Sequence, residues 1–137
     1  MKLRLSFAFL LAMQALAVSA FSGPTQKQIM AATTPQQLHD LGGHKATAVE
    51  FKSTVVGREL DEKGWVWFIN ADGTHTASAK DGSWKDQGGK WKMKGDRYCR
   101  NSADKPAFAC SDAYLIGNFM RFGGDDGKLA GWTVRIK

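Results

Sequence analysis

Residues 64–110 constrain the fold of this 137-residue chain more than any other stretch. They read GWVWFINADGTHTASAKDGSWKDQGGKWKMKGDRYCRNSADKPAFAC. Short runs of aromatic and β-branched residues alternate here with Gly- and Asp-rich turns, and both cysteines of the chain lie in the stretch. Aromatic and β-branched residues favour strands, and turn residues at this spacing favour hairpins. The stretch therefore predicts a small antiparallel β-barrel or β-sandwich.

The strongest predicted hairpin joins residues 65–70 to residues 74–79. Its three-residue loop ends on Asp72-Gly73, with Gly73 in the left-handed position. This loop fixes the register, which pairs Trp65 with Ala79, Trp67 with Ala77 and Ile69 with His75. Because directly opposed residues share one face of a sheet, the indole rings and the alanines form the predicted interior.

A second predicted hairpin spans residues 90–100 and turns at Gly95-Asp96. Charged and apolar residues alternate along it, and a two-residue turn with glycine first sets the register. The inner side chains are Trp91, Met93 and Tyr98, with Arg100 at the rim of the same face. The outward side chains are Lys90, Lys92, Lys94 and Arg97, together with Cys99.

Further strands are expected on both sides of these hairpins. Alternation predicts a first strand over residues 46–51 and later strands over 108–116, 118–122 and 129–136. Residues 21–44 are expected to form a short helical segment, since Thr34-Pro35 is a good helix start and Gly42-Gly43 a stop. The predicted fold class is all-β, and residues 45–137 form a small antiparallel meander barrel of about seven or eight strands.

Residues 1–20 have the pattern of a signal peptide. Lys2 and Arg4 precede an apolar run that ends in small residues, and the run is short for a membrane span. An uncleaved anchor is the alternative interpretation. Cleavage would start the mature chain at Phe21 and lower the net charge from +6 to +4 by removing Lys2 and Arg4. After cleavage no membrane span is expected.

The two cysteines of an exported chain predict one disulfide, between Cys99 and Cys110. The short ring it closes is worth about 3 kcal/mol in the chain-entropy picture. A redox or metal-binding pair is the alternative, but the spacing is not a redox spacing and no histidine lies near either cysteine in sequence.

Catalytic motifs are missing from the sequence. There is no Gly-x-Ser-x-Gly elbow, no Gly-rich phosphate loop and no His-Glu-x-x-His. Asp125-Asp126 lies in a glycine-flanked turn but lacks the ligand spacing of an EF-hand loop. We therefore expect a protein that is not an enzyme and that holds no cofactor and no metal.

The predicted interior suggests a carrier for a small apolar or anionic ligand. The candidate ligand-binding residues are Trp65, Trp67, His75, Trp91, Tyr98 and Arg100. His75 can anchor a ligand at the barrel mouth, although a rim histidine that reaches water is the favoured interpretation. Arg100 can pair with a carboxylate or phosphate, or extend out of the open end. The five tryptophans of the chain can also fill a barrel completely, which would exclude a carrier.

The outward basic face suggests an interaction protein as the alternative function. Lys90, Lys92, Lys94 and Arg97 are the candidate residues for gripping an anionic envelope polymer or another macromolecule, in an inhibitor-like role. Nucleic acid is not the expected partner of an exported chain. Lysines on strands also protect sheets from aggregation, so a merely solvated face is the simpler interpretation.

The turn and core residues carry a resemblance to a known type of protein. Asp72-Gly73-Thr74, Gly89, Trp91, Gly95-Asp96, Cys99 and Cys110 follow a predicted export signal. In this the chain resembles a family of small secreted bacterial proteins of uncharacterised function, with a Gly/Trp-rich, lipocalin-like barrel. The resemblance implies such a barrel in the bacterial envelope, either periplasmic or secreted. It implies no substrate and no catalytic residues. The barrel plan is also similar to that of secreted lysozyme inhibitors, whose inhibitory loop motif this chain lacks.

Overall fold

The computed structural model describes residues 22–86 and 88–137. The predicted signal peptide lies outside these residues. The helices are α1 Gln26–Ala31, α2 Pro35–Asp40 and α3 Ala48–Thr54. The strands are β1 His44–Lys45, β2 Glu59–Asp61, β3 Trp65–Ile69, β4 Thr74–Ala79, β5 Gly89–Lys94, β6 Arg97–Arg100, β7 Ala109–Ile116, β8 Phe119–Gly123 and β9 Val134–Ile136. No helix in this described part of the chain is long and apolar enough to cross a membrane.

Strands β2 to β9 form a closed, all-antiparallel barrel of eight strands. Each strand pairs with the next along the chain, and β9 returns to pair with β2. Strand β1 adds a short pairing to the end of β7. The predicted meander barrel is therefore confirmed. Each strand of the barrel therefore has a neighbour on both sides, although β4 and β5 share only the pairs Thr74–Lys90 and His75–Gly89.

Both predicted hairpin registers are confirmed. Trp65 pairs with Ala79, Trp67 with Ala77 and Ile69 with His75. In the second hairpin Trp91 pairs with Arg100, Met93 with Tyr98 and Lys94 with Arg97. The turn glycines have the positive φ angles that these turns need, +87° at Gly73 and +58° at Gly95.

The predicted first strand over residues 46–51 is wrong, because α3 covers most of it. The Thr47 hydroxyl accepts a hydrogen bond from the backbone N–H of Glu50 at 3.2 Å and caps the helix. Phe51 and Val55, four residues apart, are fully buried, whereas Val49 is 79% exposed. The buried spacing is that of a helix, so the alternation read from the sequence was accidental.

Helix α3 covers one end of the barrel, which we call the closed end. The backbone N–H of Ala48 donates to Asp96 Oδ1 at 2.8 Å, in the β5–β6 turn. After the helix, the N–H of Gly57 donates to the carbonyl of Ile69 at 2.8 Å, beside the β3–β4 turn. The opposite end, formed by the loops β2–β3, β4–β5, β6–β7 and β8–β9, is the open end.

The last predicted strand is shorter than expected. Only Val134–Ile136 forms β9, and residues 124–133 connect it to β8. Leu129 forms an isolated bridge with Gly123. Ala130 and Trp132 nevertheless pack against the interior, on the same side as Val134, which follows Trp132 by two residues.

Aromatic rings occupy the middle of the barrel. Trp67 is 2% exposed and contacts the rings of Tyr98, Phe122 and Trp132, with centroids 5.8, 5.8 and 6.0 Å away. From the closed end, Phe51 of α3 reaches Tyr98 at 5.1 Å. Helix and barrel therefore share one aromatic core.

A second hydrophobic cluster lies outside the barrel, where α1 and α2 cover β7 and β8. Its buried members are Ile29, Ala32, Leu38, Ile116, Phe119 and Leu129. The buried Arg121 donates to the carbonyls of Ile29 at 2.9 Å and of Ala32, at the end of α1, and to that of Ala130. This arginine therefore supplies donors to carbonyls at the C-terminal end of α1, where intrahelical partners run out.

The predicted disulfide between Cys99 and Cys110 is present. The two residues are directly opposed on β6 and β7, on the outward register shared with Lys92. They close the β6–β7 loop at its base. Cys99 is fully buried, whereas Cys110 is half-buried.

Asp61 holds two lysines where β9 closes onto β2. Its carboxylate lies 2.5 Å from Lys80 Nζ and 3.1 Å from Lys137 Nζ. The hydrogen bond from Lys80 and the second from Lys137 lower the pKa of Asp61 and outweigh the opposing effect of burial.

Candidate functional site

A cavity of about 240 Å³ lies in the barrel toward the open end. Its lining residues come from β3, β6, β7, β8 and the β8–β9 loop: Trp67, Tyr98, Arg100, Ala109, Ser111, Phe122, Ala130 and Trp132. Tyr98 pairs with Ser111, and Arg100 with Ala109, so inward positions of adjacent strands form one wall. The interior is not completely filled, and the tryptophans leave room on this side.

The floor of the cavity is a cluster of touching rings. Phe122 lies 5.3 Å from Trp132 and 5.4 Å from Tyr98, measured between centroids. The ring planes are tilted by 47° and 42° in these pairs. Rings in such contact leave no slot between them, so a bound molecule would lie on the floor rather than between two rings.

Two polar atoms on the lining residues are buried without a hydrogen-bond partner among the described residues. They are Trp67 Nε1 and the Tyr98 hydroxyl, on side chains that are both 2% exposed. Burial raises the pKa of Tyr98 well above its usual value, against the opposing effect of the Arg100 charge, so this hydroxyl stays protonated. Buried polar groups are normally paired. These two atoms have almost no accessible surface, so they lie beneath the wall and not on it.

Arg100 supplies the positive charge at the edge of the cavity. Its guanidinium carbon lies 5.2 Å from the centroid of a Trp67 ring, within cation–π range. Within residues 22–86 and 88–137 no carboxylate forms a salt bridge with it. Arg100 is also the only charged residue among those that line the cavity. An anion at this edge would meet one unengaged guanidinium and no competing carboxylate on the wall.

The structure brings three of the six predicted ligand-binding residues into this cavity: Trp67, Tyr98 and Arg100. Trp65 lies one layer away, with its ring 5.8 Å from that of Trp132. Trp91 packs toward the closed end and donates from Nε1 to the carbonyl of Asn70 at 2.7 Å. It is 6.1 Å from the Phe51 ring, so its position is one of packing.

His75 is buried, and the interpretation of a rim histidine that reaches water is wrong. Its side chain is 2% exposed, and Nε2 donates to the carbonyl of Asn101 at 2.7 Å. The close approach of β4, β5 and β6 explains this burial, because a Cβ at Gly89 would overlap the Asn101 carbonyl. His75 meets the Trp67 ring edge-on at 6.2 Å but does not line the cavity.

Five other lining residues were not predicted from the sequence as site residues: Ala109, Ser111, Phe122, Ala130 and Trp132. Phe122 and Trp132 were assigned only to strands. The sequence did contain a signal for Trp132, because Ala130, Trp132 and Val134 are spaced two residues apart and would share one inward face of a strand. Its loop position hid the fact that it faces the same space as Arg100.

The predicted basic face is present only in part. Lys90, Lys92 and Lys94 are exposed on β5, and Lys92 Nζ lies 4.2 Å from the ring centroid of the exposed Phe108. Arg97 instead faces acidic residues, 3.3 Å from Asp112 and 2.5 Å from Asp125. Three lysines therefore remain exposed, while the charge of Arg97 is matched within the protein.

Among the residues that the structure describes, no three His, Cys, Asp or Glu side chains come together to hold a metal ion. Comparisons of the chain with protein-family models, with curated proteins and with solved structures find no match. Of the resemblance drawn from the sequence, the barrel is confirmed and no family is identified.

Proposed function

We propose that this protein is an exported, non-enzymatic carrier that binds a small apolar or anionic molecule in the open-end cavity. The observation that carries the proposal is the cavity wall itself. It sets the guanidinium of Arg100, which has no salt-bridge partner among the described residues, beside an aromatic floor, with the hydroxyl of Ser111 on the same wall. Ligand pockets are typically apolar hollows with a few polar groups, which is the character of this wall.

The lining residues also support the non-enzymatic part of the proposal. Neither a histidine nor a carboxylate is among them, and Ser111 carries the one aliphatic hydroxyl. A serine nucleophile needs an adjacent base, which this wall does not offer. Binding requires only the shape, the aromatic floor and the donors.

Export is supported by two independent features. The predicted signal peptide at residues 1–20 directs the chain out of the cytoplasm, and disulfides such as Cys99–Cys110 persist in oxidising compartments. The setting that follows is the periplasm or the extracellular side of a bacterial envelope.

Indole N–H signals in a ¹H–¹⁵N NMR spectrum test binding at this cavity. We expect some members of a panel of small acids, alcohols, amides and amines to shift the signals of Trp67 and Trp132 saturably. Trp91, which packs toward the closed end, and Trp84, which is exposed on the β4–β5 loop, serve as internal controls. A panel in which no compound moves Trp67 and Trp132 would contradict the proposal.

The three exposed lysines of β5 favour a second candidate function, binding of an anionic polysaccharide. Lys90, Lys92 and Lys94 share one outward face and have no salt-bridge partner among the described residues. Such a cluster of like charges attracts polyanions at low ionic strength. The match of Arg97 with Asp112 and Asp125 weakens this candidate, because it removes one of four predicted cations.

Retention on immobilised heparin tests this second candidate. Changing Lys90, Lys92 and Lys94 to Gln should abolish salt-sensitive retention. The matched control changes three scattered exposed lysines, Lys52, Lys63 and Lys128, to Gln and loses the same net charge. Equal elution of the two variants would show that only total charge matters and that β5 carries a solvated face.

A further inference from the structure

We propose that the ligand of the open-end cavity is a small monocarboxylate with a compact apolar body. This inference rests on the proposed carrier function and names its ligand class. The carboxylate would pair with Arg100, and the apolar body would lie on the floor formed by Phe122 and Trp132.

The charged residues around the cavity determine the sign of the charge that a ligand can carry. Arg100 is the one charged residue of the cavity wall, and it also lines a neighbouring groove together with Asp104 and Lys105. Asp104 is itself engaged, since its Oδ1 accepts from the Ser102 hydroxyl at 2.6 Å. A cationic ligand would therefore meet an unbalanced guanidinium, whereas an anion would neutralise it.

The number of cationic side chains on the cavity wall favours a ligand with a single negative charge. A guanidinium presents a planar fork of N–H donors that matches the two oxygens of a carboxylate. A phosphate group carries more charge and is usually held by several cations or by a nest of backbone N–H groups. The cavity wall offers one cation, Arg100, and its other side chains are neutral.

The other polar groups of the lining residues do not set the ligand class. Trp67 Nε1 and the Tyr98 hydroxyl have almost no accessible surface. The hydroxyl of Ser111, opposite Tyr98 in the β6–β7 pairing, can both donate and accept. The preference for an anion therefore rests on Arg100.

The volume sets the size of the apolar body. The cavity has a volume of about 240 Å³. It lies below the ~300–1,000 Å³ typical of drug-sized sites. The floor of touching rings, Trp67, Phe122 and Trp132, blocks a deeper tunnel along the barrel. A long acyl chain would therefore not be enclosed, whereas a short branched or single-ring acid would be.

Four probes of one shape and different head groups test the ligand class: benzoate, benzamide, benzylamine and phenyl phosphate. Each is titrated into the full mature protein at neutral pH, with the indole signals of Trp67 and Trp132 as the readout. We expect benzoate to bind at least tenfold more tightly than the other three, because a charge-assisted pair with a guanidinium is stronger than a neutral contact.

Substitutions at Arg100 link that preference to the proposed contact. Arg100→Gln should weaken benzoate about tenfold or more and leave benzamide unchanged, because only the charged pair is lost. Arg100→Lys should give an intermediate affinity, since it keeps the charge but loses the fork. Arg58→Gln removes the same charge from an exposed residue just after α3, at the closed end, and should change nothing.

Each outcome supports or overturns the inference. Equal affinity of benzamide and benzoate, or unchanged benzoate binding in Arg100→Gln, overturns the carboxylate class but leaves the carrier function standing. Tighter binding of phenyl phosphate replaces the carboxylate by a phosphate. If no probe shifts Trp67 and Trp132, the monocarboxylate inference fails, and the carrier function fails with it only when the wider panel of acids, alcohols, amides and amines is also without effect. Dispersed spectra of each variant establish that it is folded, which is expected because Arg100 and Arg58 are exposed.

Discussion

Replacing Trp67 with Ala should cost more stability than replacing any other residue of the first hairpin. The side chain is 2% exposed, and its ring contacts those of His75, Tyr98, Phe122 and Trp132 at centroid distances between 5.8 and 6.2 Å. Buried Trp→Ala changes cost about 3–5 kcal/mol, the spread reflecting how far the site collapses. Here the surrounding wall is hydrogen-bonded sheet, which resists collapse, so we expect about 4–5 kcal/mol.

Phe68→Ala is the matched control, because Phe68 follows Trp67 directly but faces outward. It is half-buried and lies outside both hydrophobic clusters, so its loss should cost about 1 kcal/mol. Urea denaturation followed by far-UV circular dichroism gives both free energies of unfolding, and Tm should fall by about 15–20 °C for Trp67→Ala. If Trp67→Ala does not fold, Trp67→Phe should fold with a smaller loss. A cost for Phe68→Ala equal to or above that of either Trp67 variant would refute the inward register.

Three further predictions concern single contacts. Exported protein should have the mass of a chain beginning near residue 21 with two hydrogens missing, and changing Cys99 and Cys110 to Ser should lower the free energy of unfolding by about 3 kcal/mol in urea melts. Gly89→Ala should cost about 2–3 kcal/mol in the same assay, because the added Cβ overlaps the carbonyl of Asn101; a neutral change would show that the strands separate easily there. Because the pKa of Asp61 is lowered in the folded state, its ion pairs stabilise the fold above pH ~4, and this stabilisation is lost as the pH falls further. Asp61→Asn should therefore cost up to about 1 kcal/mol at pH 7, a small value because its lysine partners are half-exposed. The same substitution should cost nothing near pH 2.

The hairpins of this protein were predictable because their information is local. The turns at Asp72-Gly73 and Gly95-Asp96 fix the register, and the alternation of apolar residues fixes the face. One correct turn places every following side chain, so both registers were obtained residue by residue.

Helix α3 was missed because six residues of apparent alternation do not distinguish a strand from a helix. The deciding contacts are distant in sequence, since Ala48 bonds to Asp96 and Phe51 packs on Trp91 and Tyr98. The helix is held by the barrel end that it covers, and that end exists only after the strands have paired.

The lining residues that lie on the two hairpins were predictable from the sequence, whereas those in the segment between β8 and β9 were not. Trp67, Tyr98 and Arg100 followed from the hairpin registers, but Trp132 lies in the segment between β8 and β9, where no alternation fixes the backbone. The loss of Arg97 from the basic face has the same origin, because Asp125 is 28 residues further along the chain. Long-range pairs of this kind leave no periodic signal.

The pairing of β9 with β2 gives the barrel a seam with its own folding behaviour. Every other neighbouring pair in the barrel is adjacent in sequence, whereas the seam joins Leu60 to Ile136 and Asp61 to Arg135. Closing so long a loop costs entropy before any contact is gained, so the seam forms last and opens first. An opened seam turns β2 and β9 into sheet edges able to pair with another molecule. The amide protons at the seam should therefore exchange with solvent before those of the two hairpins, and mutations there should promote aggregation more than their cost in stability suggests.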